Sequence, residues 1–407
     1  MKTTRREFLD LSLGSTAVLS LSAVAPQFLV QAAGATAKAK ENILVVVQLS
    51  GGNDGLNTVI PYGDDAYYRN RKKLGIPRGN VLKIDDYSGL HPNLTGFEEL
   101  LQQNKLAIIQ GIGYPNPNRS HFESMDIWHT ARRKNQQRNT GWLGRYLDES
   151  AKQKLSDVPA LHLGGGKQPL ALAALNVRTP SIQSIDTFQL QAAKEQNVAN
   201  IIDRMMQLER TKSDSLLGFV QSSTTSALSA SKKVQQATKA YKTDIKYPDF
   251  NLAEKLKKVA MLIDAGLPTR IYYLTLTGFD THSSQAAGHN RLLTELGSSV
   301  NAFIHDLSQH GHGKRVLLAC FSEFGRRVKE NASAGTDHGA AAPMFLIGDQ
   351  VKAGLIGKQP SLTNLQGGDL KFHTDFRQVY ATILEKWFKS SSKNILDKQY
   401  KVVDCLL

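Results

Sequence analysis

Acidic side chains follow three apolar segments in this 407-residue sequence. The acids are Asp54, Asp280 and Glu323, and the segments before them end at residues 49, 276 and 320. Three carboxylates that converge on one place repel one another unless a cation lies among them. Imidazoles such as His282 and His338 lie close to these acids in the sequence. Oxygen and imidazole donors suit Zn, Mn, Mg or Ca, depending on their balance, so the pattern predicts a divalent-metal site and leaves the metal open.

A hydroxyl nucleophile is available at Ser120, which precedes a segment of helical character at residues 121–128. The N-terminus of a helix favours anions, and a hydroxyl bound to a divalent metal loses its proton more easily. The alternative is an ordinary N-cap serine, with Glu123 completing a capping box. The local sequence taken alone favours the cap.

The segments that carry these acids are near-continuous apolar runs, typical of strands buried on both faces of a parallel sheet. The clearest runs occupy residues 43–49, 106–110, 270–276, 315–320 and 344–347. Helical patterns lie at residues 93–103, 288–307 and 374–387. This alternation predicts a doubly wound α/β fold, with a mainly parallel sheet and helices on both faces.

The sheet should bring the acids together, because sites in such folds gather beyond the carboxyl ends of the strands. If the strands are parallel neighbours, Asp54, Asp280 and Glu323 converge on one edge. An isolated Asp before Gly is more often a turn residue. The repetition at three strand ends is what favours a shared site.

One α/β domain is predicted over residues 41–407, interrupted by a helical insertion at about 187–245. The insertion is rich in Gln, Lys, Ser and Ala and carries no strand signal. It is either a cap over the site or a solvated helical pair without a role in function.

The first 40 residues have the layout of a signal peptide. Arg5 and Arg6 precede Phe8, an apolar stretch runs from residue 11 to about 30, and small residues cluster at 32–37. Paired arginines indicate the twin-arginine route, which predicts a partner in the twin-arginine translocase and a periplasmic or extracellular location. A retained anchor is the alternative, but the stretch is barely long enough to span a bilayer and contains Pro26. We therefore expect no stable membrane span after cleavage.

The charge of the chain favours anionic partners. The formal net charge is +14, and residues 1–40 carry five basic and two acidic side chains, so about +11 remains beyond them. Phosphate or sulfate esters and acidic cell-surface polymers are the partners that this balance suits. Neither zinc-finger spacing nor a basic and aromatic stripe is present, so no nucleic-acid partner is predicted.

The two cysteines, Cys320 and Cys405, are too few for a disulfide framework. Cys320 lies in an apolar run, which favours a buried free thiol. Export would permit a bridge between them, and the sequence leaves that choice open.

Taken together, the motifs resemble those of an exported bacterial family catalogued as domain of unknown function 1501. The matching segments, in order, are LSGGNDG, GFDTH, FSEFGR, TDHGA and DFRQVYA, after a twin-arginine leader. The resemblance runs from about residue 42 to the C-terminus. That family is similar in turn, more distantly, to the alkaline phosphatase and sulfatase superfamily.

The superfamily resemblance implies a two-metal hydrolase. Its metal ligands would be Asp54 for one ion, Asp280 with His282 or His289 for the other, and Glu323 and His338. Asp337 would support His338 through a hydrogen bond. Ser120 would be the metal-bound nucleophile, and Arg119 would bind the anion.

The sequence departs from the superfamily pattern after Glu323, where Phe324 replaces a histidine. A ligand is therefore missing or supplied from elsewhere, for which His121 is a candidate. The predicted function is an exported metal-dependent hydrolase of phosphate or sulfate esters, acting on small anionic or glycan esters. The alternative is a catalytically degenerate protein on the same scaffold that binds anionic glycans or cell-surface polymers, and fold similarity cannot separate these or a transferase-like reaction.

Overall fold

The computed structural model describes residues 41–152, 160–165, 167–177, 179, 181–182 and 241–407. The predicted signal and residues 187–240 of the predicted insertion lie outside these residues. Residues 241–245, at the end of that insertion, are described and belong to neither helix nor strand. None of the described helices has the length and apolar character needed to cross a membrane.

Twelve strands occur in the described residues. They are β1 (Ile43–Ser50), β2 (Val59–Ile60), β3 (Leu82–Lys83), β4 (Gly89–Leu90), β5 (Leu106–Gly113), β6 (Ala160–Leu163), β7 (Ser181–Ile182), β8 (Ile271–Thr277), β9 (Val316–Phe321), β10 (Ala342–Ile347), β11 (Gly354–Ile356) and β12 (Thr374–Asp375). The main sheet has the order β11-β5-β10-β9-β1-β8-β6-β7, with β12 also paired to β5. Strands β2, β4 and β3 form a small separate sheet.

The centre of the main sheet is parallel, as the apolar runs predict. Strand β1 pairs in parallel with β8 on one side and with β9 on the other. Seven of its eight residues are buried, because helices cover both faces of the sheet. The carboxyl ends of these three strands therefore meet at one edge.

Strand β10 runs antiparallel to β9 and β5. The chain leaves β9 at the carboxyl edge and enters β10 from the same edge, so the connecting segment stays there. This direction brings His338, which precedes β10, to the ends of β1, β8 and β9. A β-bridge between Arg326 and His338 joins the two halves of the connection.

Eight α-helices occur in the described part of the chain. They are α1 (Asp65–Asn70), α2 (Thr95–Gln102), α3 (His121–Thr130), α4 (Trp142–Lys152), α5 (Asn251–Asp264), α6 (Gln285–Gln309), α7 (Phe376–Thr382) and α8 (Ser392–Leu396). A π-helical turn, Ile383–Trp387, continues α7. Helices α2, α5 and α6 pack in the apolar core on one face of the sheet. Helices α3, α4, α7 and α8 pack in the core on the other, which confirms the predicted α/β architecture.

The last helix pattern begins as the sequence predicts. Asp375 is the N-cap of α7 and accepts a hydrogen bond from the Arg377 amide, while the Gln378 side chain accepts one from the Asp375 amide. This capping box satisfies amides that have no partner within the helix. The predicted helical pattern at residues 374–387 therefore has its N-cap at Asp375.

Candidate metal centre

The loops after β1 and β8 touch each other at the carboxyl edge of the sheet. Gly51 has φ +118°, and a Cβ built on it would lie 2.4 Å from the backbone nitrogen of Asp280. Only glycine fits so close an approach with that backbone conformation. The SGGNDG motif therefore brings the two loops together, and it positions Asp280 at the sheet edge.

Three imidazoles meet at one oxygen of Asp280. Its Oδ1 atom lies 2.9 Å from His282 Nε2, 3.1 Å from His338 Nε2 and 3.4 Å from His121 Nε2. The Nε2 atoms of His282 and His338 are 3.0 Å apart. His121 arrives from the first turn of α3, His282 from the loop after β8, and His338 from the connection before β10.

Each of these imidazoles also has an acceptor for its Nδ1 hydrogen. The acceptors are Glu323 Oε1 at 2.8 Å for His121, the Arg119 carbonyl at 2.7 Å for His338, and Asp337 Oδ1 at 3.3 Å for His282. A hydrogen on Nδ1 leaves the lone pair of the neutral ring on Nε2. All three rings therefore present Nε2 lone pairs to the same point, as metal-binding histidines held by carboxylates and carbonyls do.

This donor set fits a divalent cation. The Nε2 atom of His121 is buried and makes no hydrogen bond within the described residues. Donors that share a tetrahedral zinc ion at about 2.0–2.1 Å stand roughly 3.3 Å apart, and the distances here run from 2.9 to 3.4 Å. The donor atoms of His121, Asp280 and His338 all lie within 4.8 Å of one another.

Arg326 holds the same edge together. Its wholly buried guanidinium donates to the backbone carbonyls of Gly51, Gly52, Phe279 and Thr336 and, at 2.7 Å, to Asp280 Oδ1. Burial raises the pKa of Asp280, but the hydrogen bond and the positive charge of Arg326 outweigh it and hold the pKa well below its usual range. Asp280 is therefore an ionised donor at neutral pH.

Asp54 lies apart from this cluster, in a buried network of its own. Arg71 donates to both of its carboxylate oxygens, at 2.5 Å to Oδ2 and 3.0 Å to Oδ1, and Gln285 donates to Oδ2 at 2.5 Å. Burial raises the pKa of Asp54, yet the Arg71 guanidinium keeps it below its usual value. The charge that a second metal would neutralise is already matched by Arg71.

His289 and Glu323 occupy other places than the resemblance implies. His289 lies in α6 with Nε2 3.1 Å from Asn53 Oδ1, so that nitrogen carries the hydrogen and offers no lone pair. Glu323 Oε1 accepts from His121 Nδ1 and from the Gly51 amide, and Oε2 accepts from the Ser322 hydroxyl. The structure thus places His282 beside Asp280, while Glu323 supports His121. Asp337 supports His282 and not His338, whose Nδ1 is bound to the Arg119 carbonyl. The two-metal arrangement does not fit these contacts, because Asp54 and Glu323 are already engaged.

Ser120 is the N-cap residue of α3, and its side chain makes no cap hydrogen bond. Glu123 pairs with Arg138 at 2.9 Å, so the capping box considered as an alternative does not form. Ser120 lies between two residues tied to the cluster, since the Arg119 carbonyl accepts from His338 and His121 supplies Nε2. The Arg119 guanidinium binds Asp369.

Sequence reasoning named Asp280, His282 and His338, which the fold brings together. It raised His121 only as a substitute ligand and did not identify Arg71, Arg326 or Asp369. The FSEFGR motif contains Arg326, so a signal for its role was present. Arg71 lies in a run of basic residues that resembles a solvated surface segment, and no local signal marks it as buried.

A family model described as a protein of unknown function (DUF1501) matches residues 107–397, well over half of the chain. No curated protein matches the sequence. Among solved structures, the chain is similar to the PsFucS1 sulfatase from Pseudoalteromonas sp. The identity is 10% over 97% of this chain and 74% of that chain, and the TM-score is 0.42.

Two further solved structures show a similar degree of likeness. One is a protein in the alkaline phosphatase superfamily from Vibrio parahaemolyticus, at 8% identity over 82% of this chain and 70% of that chain, with a TM-score of 0.36. The other is the alkaline phosphatase of the Antarctic bacterium TAB5, at 11% identity over 76% and 92% of the chains and a TM-score of 0.31. Likeness at this level carries no function. The chain belongs to the family described as protein of unknown function DUF1501.

Proposed function

We propose that this protein is an exported hydrolase of phosphate or sulfate esters that uses one divalent metal ion held by His121, Asp280 and His338, with His282 beside them. One observation carries the proposal: three imidazoles, each with Nδ1 bound to an acceptor, direct Nε2 at one ionised carboxylate oxygen. Without a cation, such an arrangement would crowd lone pairs together.

The ligand set favours zinc among the metals that the sequence allows. Two imidazole nitrogens and one carboxylate oxygen are typical of zinc sites that keep a position open for substrate, whereas Mg and Ca prefer mostly oxygen. When bound, the ion supplies Lewis acidity and stabilises negative charge on ester oxygens. Glu323 raises the pKa of His121 through its hydrogen bond, which makes that ring the stronger donor.

Ser120 is the nucleophile in this proposal. Its Oγ would attack the phosphorus or sulfur atom, the ester oxygen would leave with a proton, and water would then release the inorganic anion. The N-terminus of α3 favours negative charge at this point. Arg119 is unavailable as the predicted anion clamp, because its guanidinium is already paired with Asp369.

Metal analysis of purified protein tests the centre. We expect about one zinc ion per chain in the wild type, and loss of it in His338→Ala and in Asp280→Asn. His305→Ala, at a half-buried histidine on α6, is the matched control and should keep the ion. Unchanged metal content in both site variants would refute the assignment.

Ester hydrolysis tests the nucleophile separately. Ser120→Ala should abolish turnover of 4-nitrophenyl phosphate or sulfate while the protein keeps its metal. Ser283→Ala, which also adjoins a histidine of the cluster, is the control and should retain activity. A Ser120→Ala variant as active as the wild type would exclude this role.

The second candidate is the non-catalytic binding protein, and the saturated Asp54 favours it. A centre with one cation lacks the paired charge that two-metal hydrolases place on the attacking and leaving oxygens. A broad screen of phosphate and sulfate esters that stays silent, with metal bound and an anionic polysaccharide retained, would select this alternative. Export by the twin-arginine translocase belongs to both proposals and rests on Arg5 and Arg6.

A further inference from the structure

We propose that a cavity next to the metal-binding cluster recognises a neutral, hydroxyl-rich group, such as a glycosyl unit, attached to the ester. That this group belongs to the ester substrate rests on the proposed function. The binding of the group in the cavity does not depend on that function. The residues that argue for it are Asn116, Asn118, Arg119, Gln366, Asp369 and Phe372.

The cavity adjoins the cluster through the backbone. Arg119 lines it with its side chain, while the Arg119 carbonyl accepts the Nδ1 hydrogen of His338. Ala340, two residues after His338, lines it as well. Its volume is about 480 Å³, within the range of about 300–1,000 Å³ found for small-molecule sites. A ligand there would contact Arg119, which directly precedes Ser120, and Ala340.

Asp369 is the feature that points to a ligand. Its side chain is 4% exposed, and its Oδ2 accepts hydrogen bonds from Arg119. Its Oδ1 is buried without a hydrogen-bond partner in the described chain, and the nearest guanidinium nitrogen, Arg327 Nε, is 3.8 Å away. An unpaired buried acceptor is costly, and the hydroxyl of a ligand would satisfy it.

The turn that carries Asp369 is rigid. Gln366 and Asp369 exchange two backbone hydrogen bonds, of 3.0 and 3.1 Å, around Gly367 and Gly368. Both glycines have positive φ, 59° and 86°, which side-chain-bearing residues adopt with strain. The turn thus fixes the backbone positions of Gln366 and Asp369 before any ligand arrives, which lowers the entropic cost of binding.

The lining selects a neutral polyol over other ligands. The Asp369 carboxylate pairs with Arg119 through Oδ2 and with Arg327, at 3.8 Å, through Oδ1, so neither guanidinium stands unpaired to bind a sulfate or phosphate. An apolar ligand would leave the amides of Asn116, Asn118 and Gln366 without partners. These amides can both donate and accept, as vicinal hydroxyls require, and Phe372 offers an apolar face.

Direct binding tests this without relying on turnover. The full-length, metal-loaded protein would be titrated with the methyl glycosides of glucose, galactose, fucose and N-acetylglucosamine and followed by saturation-transfer NMR. We expect at least one to bind, and Gln366→Ala and Asp369→Asn to weaken binding about tenfold. Gln103→Ala, an exposed glutamine at the opposite edge of the sheet, should bind as the wild type does.

Two results would overturn the proposal: silence from the whole panel, or unchanged binding in Gln366→Ala. Circular dichroism and metal content check that Asp369→Asn still folds. Kinetics separate the two proposals: both variants should raise KM for a glycosyl ester, and Gln103→Ala should leave that KM at the wild-type value. Glycoside binding without ester turnover would keep this inference and defeat the hydrolase.

Discussion

Arg71 and Asp54 form a fully buried, bidentate ion pair next to the candidate metal centre, with both side chains 0% exposed. Arg71 also donates to the carbonyls of Arg327 and Val328. One guanidinium therefore neutralises a buried carboxylate and joins the segment after α1 to the connection before β10. The pair lies where the superfamily resemblance implies a second metal.

Removing one partner of this pair should destabilise the protein strongly. We expect Arg71→Met to lower the free energy of unfolding by about 3–5 kcal/mol, because it leaves Asp54 charged, buried and unpaired. Urea denaturation would measure the loss. The double variant Asp54→Leu/Arg71→Met removes both charges and should be less destabilised than Arg71→Met. Equal losses in the two would contradict a strong coupling between the residues.

Metal stoichiometry should distinguish the two aspartates. We expect Asp54→Asn to retain about one zinc ion per chain and Asp280→Asn to lose it, because only Asp280 faces the three imidazoles. The two changes are chemically identical, so each serves as the control for the other. Atomic emission after dialysis would give the counts. Two ions in the wild type, with one lost in Asp54→Asn, would restore the two-metal interpretation.

Glu323 should act on the metal through His121 and not as a ligand. Glu323→Gln weakens the hydrogen bond that orients the His121 ring, so we expect zinc affinity to fall about 10–100-fold. Competition with a chromophoric chelator would measure it. Glu123 lies on the same helix as His121 but pairs with Arg138, so Glu123→Gln should leave the zinc affinity unchanged. Complete loss of zinc in Glu323→Gln would instead indicate direct ligation.

A buried histidine outside the site should make the protein labile in acid. His129 lies 2.9 Å from Gln48 Oε1 and 3.1 Å from the Tyr273 hydroxyl, and burial lowers its pKa to about 3. Because the unfolded chain takes up this proton near pH 6.5, the contribution of His129 is complete above that pH. It is lost as the pH falls towards the folded pKa. Between about pH 7 and pH 5 the loss is about 2 kcal/mol.

Urea denaturation at these two pH values tests this linkage. His129→Gln should be less stable than the wild type near neutral pH but should show a weaker loss on acidification. His305→Ala, which removes a half-buried histidine, should keep the wild-type dependence. An identical pH dependence in the wild type and His129→Gln would rule out the linkage.

The α/β fold follows from features that the sequence displays locally. Strands β1, β5, β8, β9 and β10 coincide with the five apolar runs. In most cases the end of the strand and the end of the run agree to within about two residues. Continuous apolar runs leave few alternatives to strands covered on both faces. The extended, buried form of β1 is a direct consequence of its ILVVVQL segment.

The candidate site was only partly accessible from the sequence. Asp280 and His282 follow one strand, so their proximity is a local property. His121 and His338 are separated by more than 200 residues, and they meet because β10 runs antiparallel and α3 begins at the same edge as β8 ends. Sequence spacing alone could not choose between His282 and His289 as the partner of Asp280. In the structure His289 lies in the core beside Asn53.

By itself the sequence determined the strand-rich α/β framework, the family, and the carboxylates and imidazoles that follow the strands. Only the tertiary structure decided which partner each of these groups meets. Asp54 and Asp280 follow their strands in similar ways, yet one is neutralised by Arg71 and the other faces three imidazoles. Hydrophobic periodicity is a property of neighbouring residues and can be recognised in the sequence. The charge balance of a buried carboxylate depends instead on side chains from distant segments, which meet it only when the chain packs.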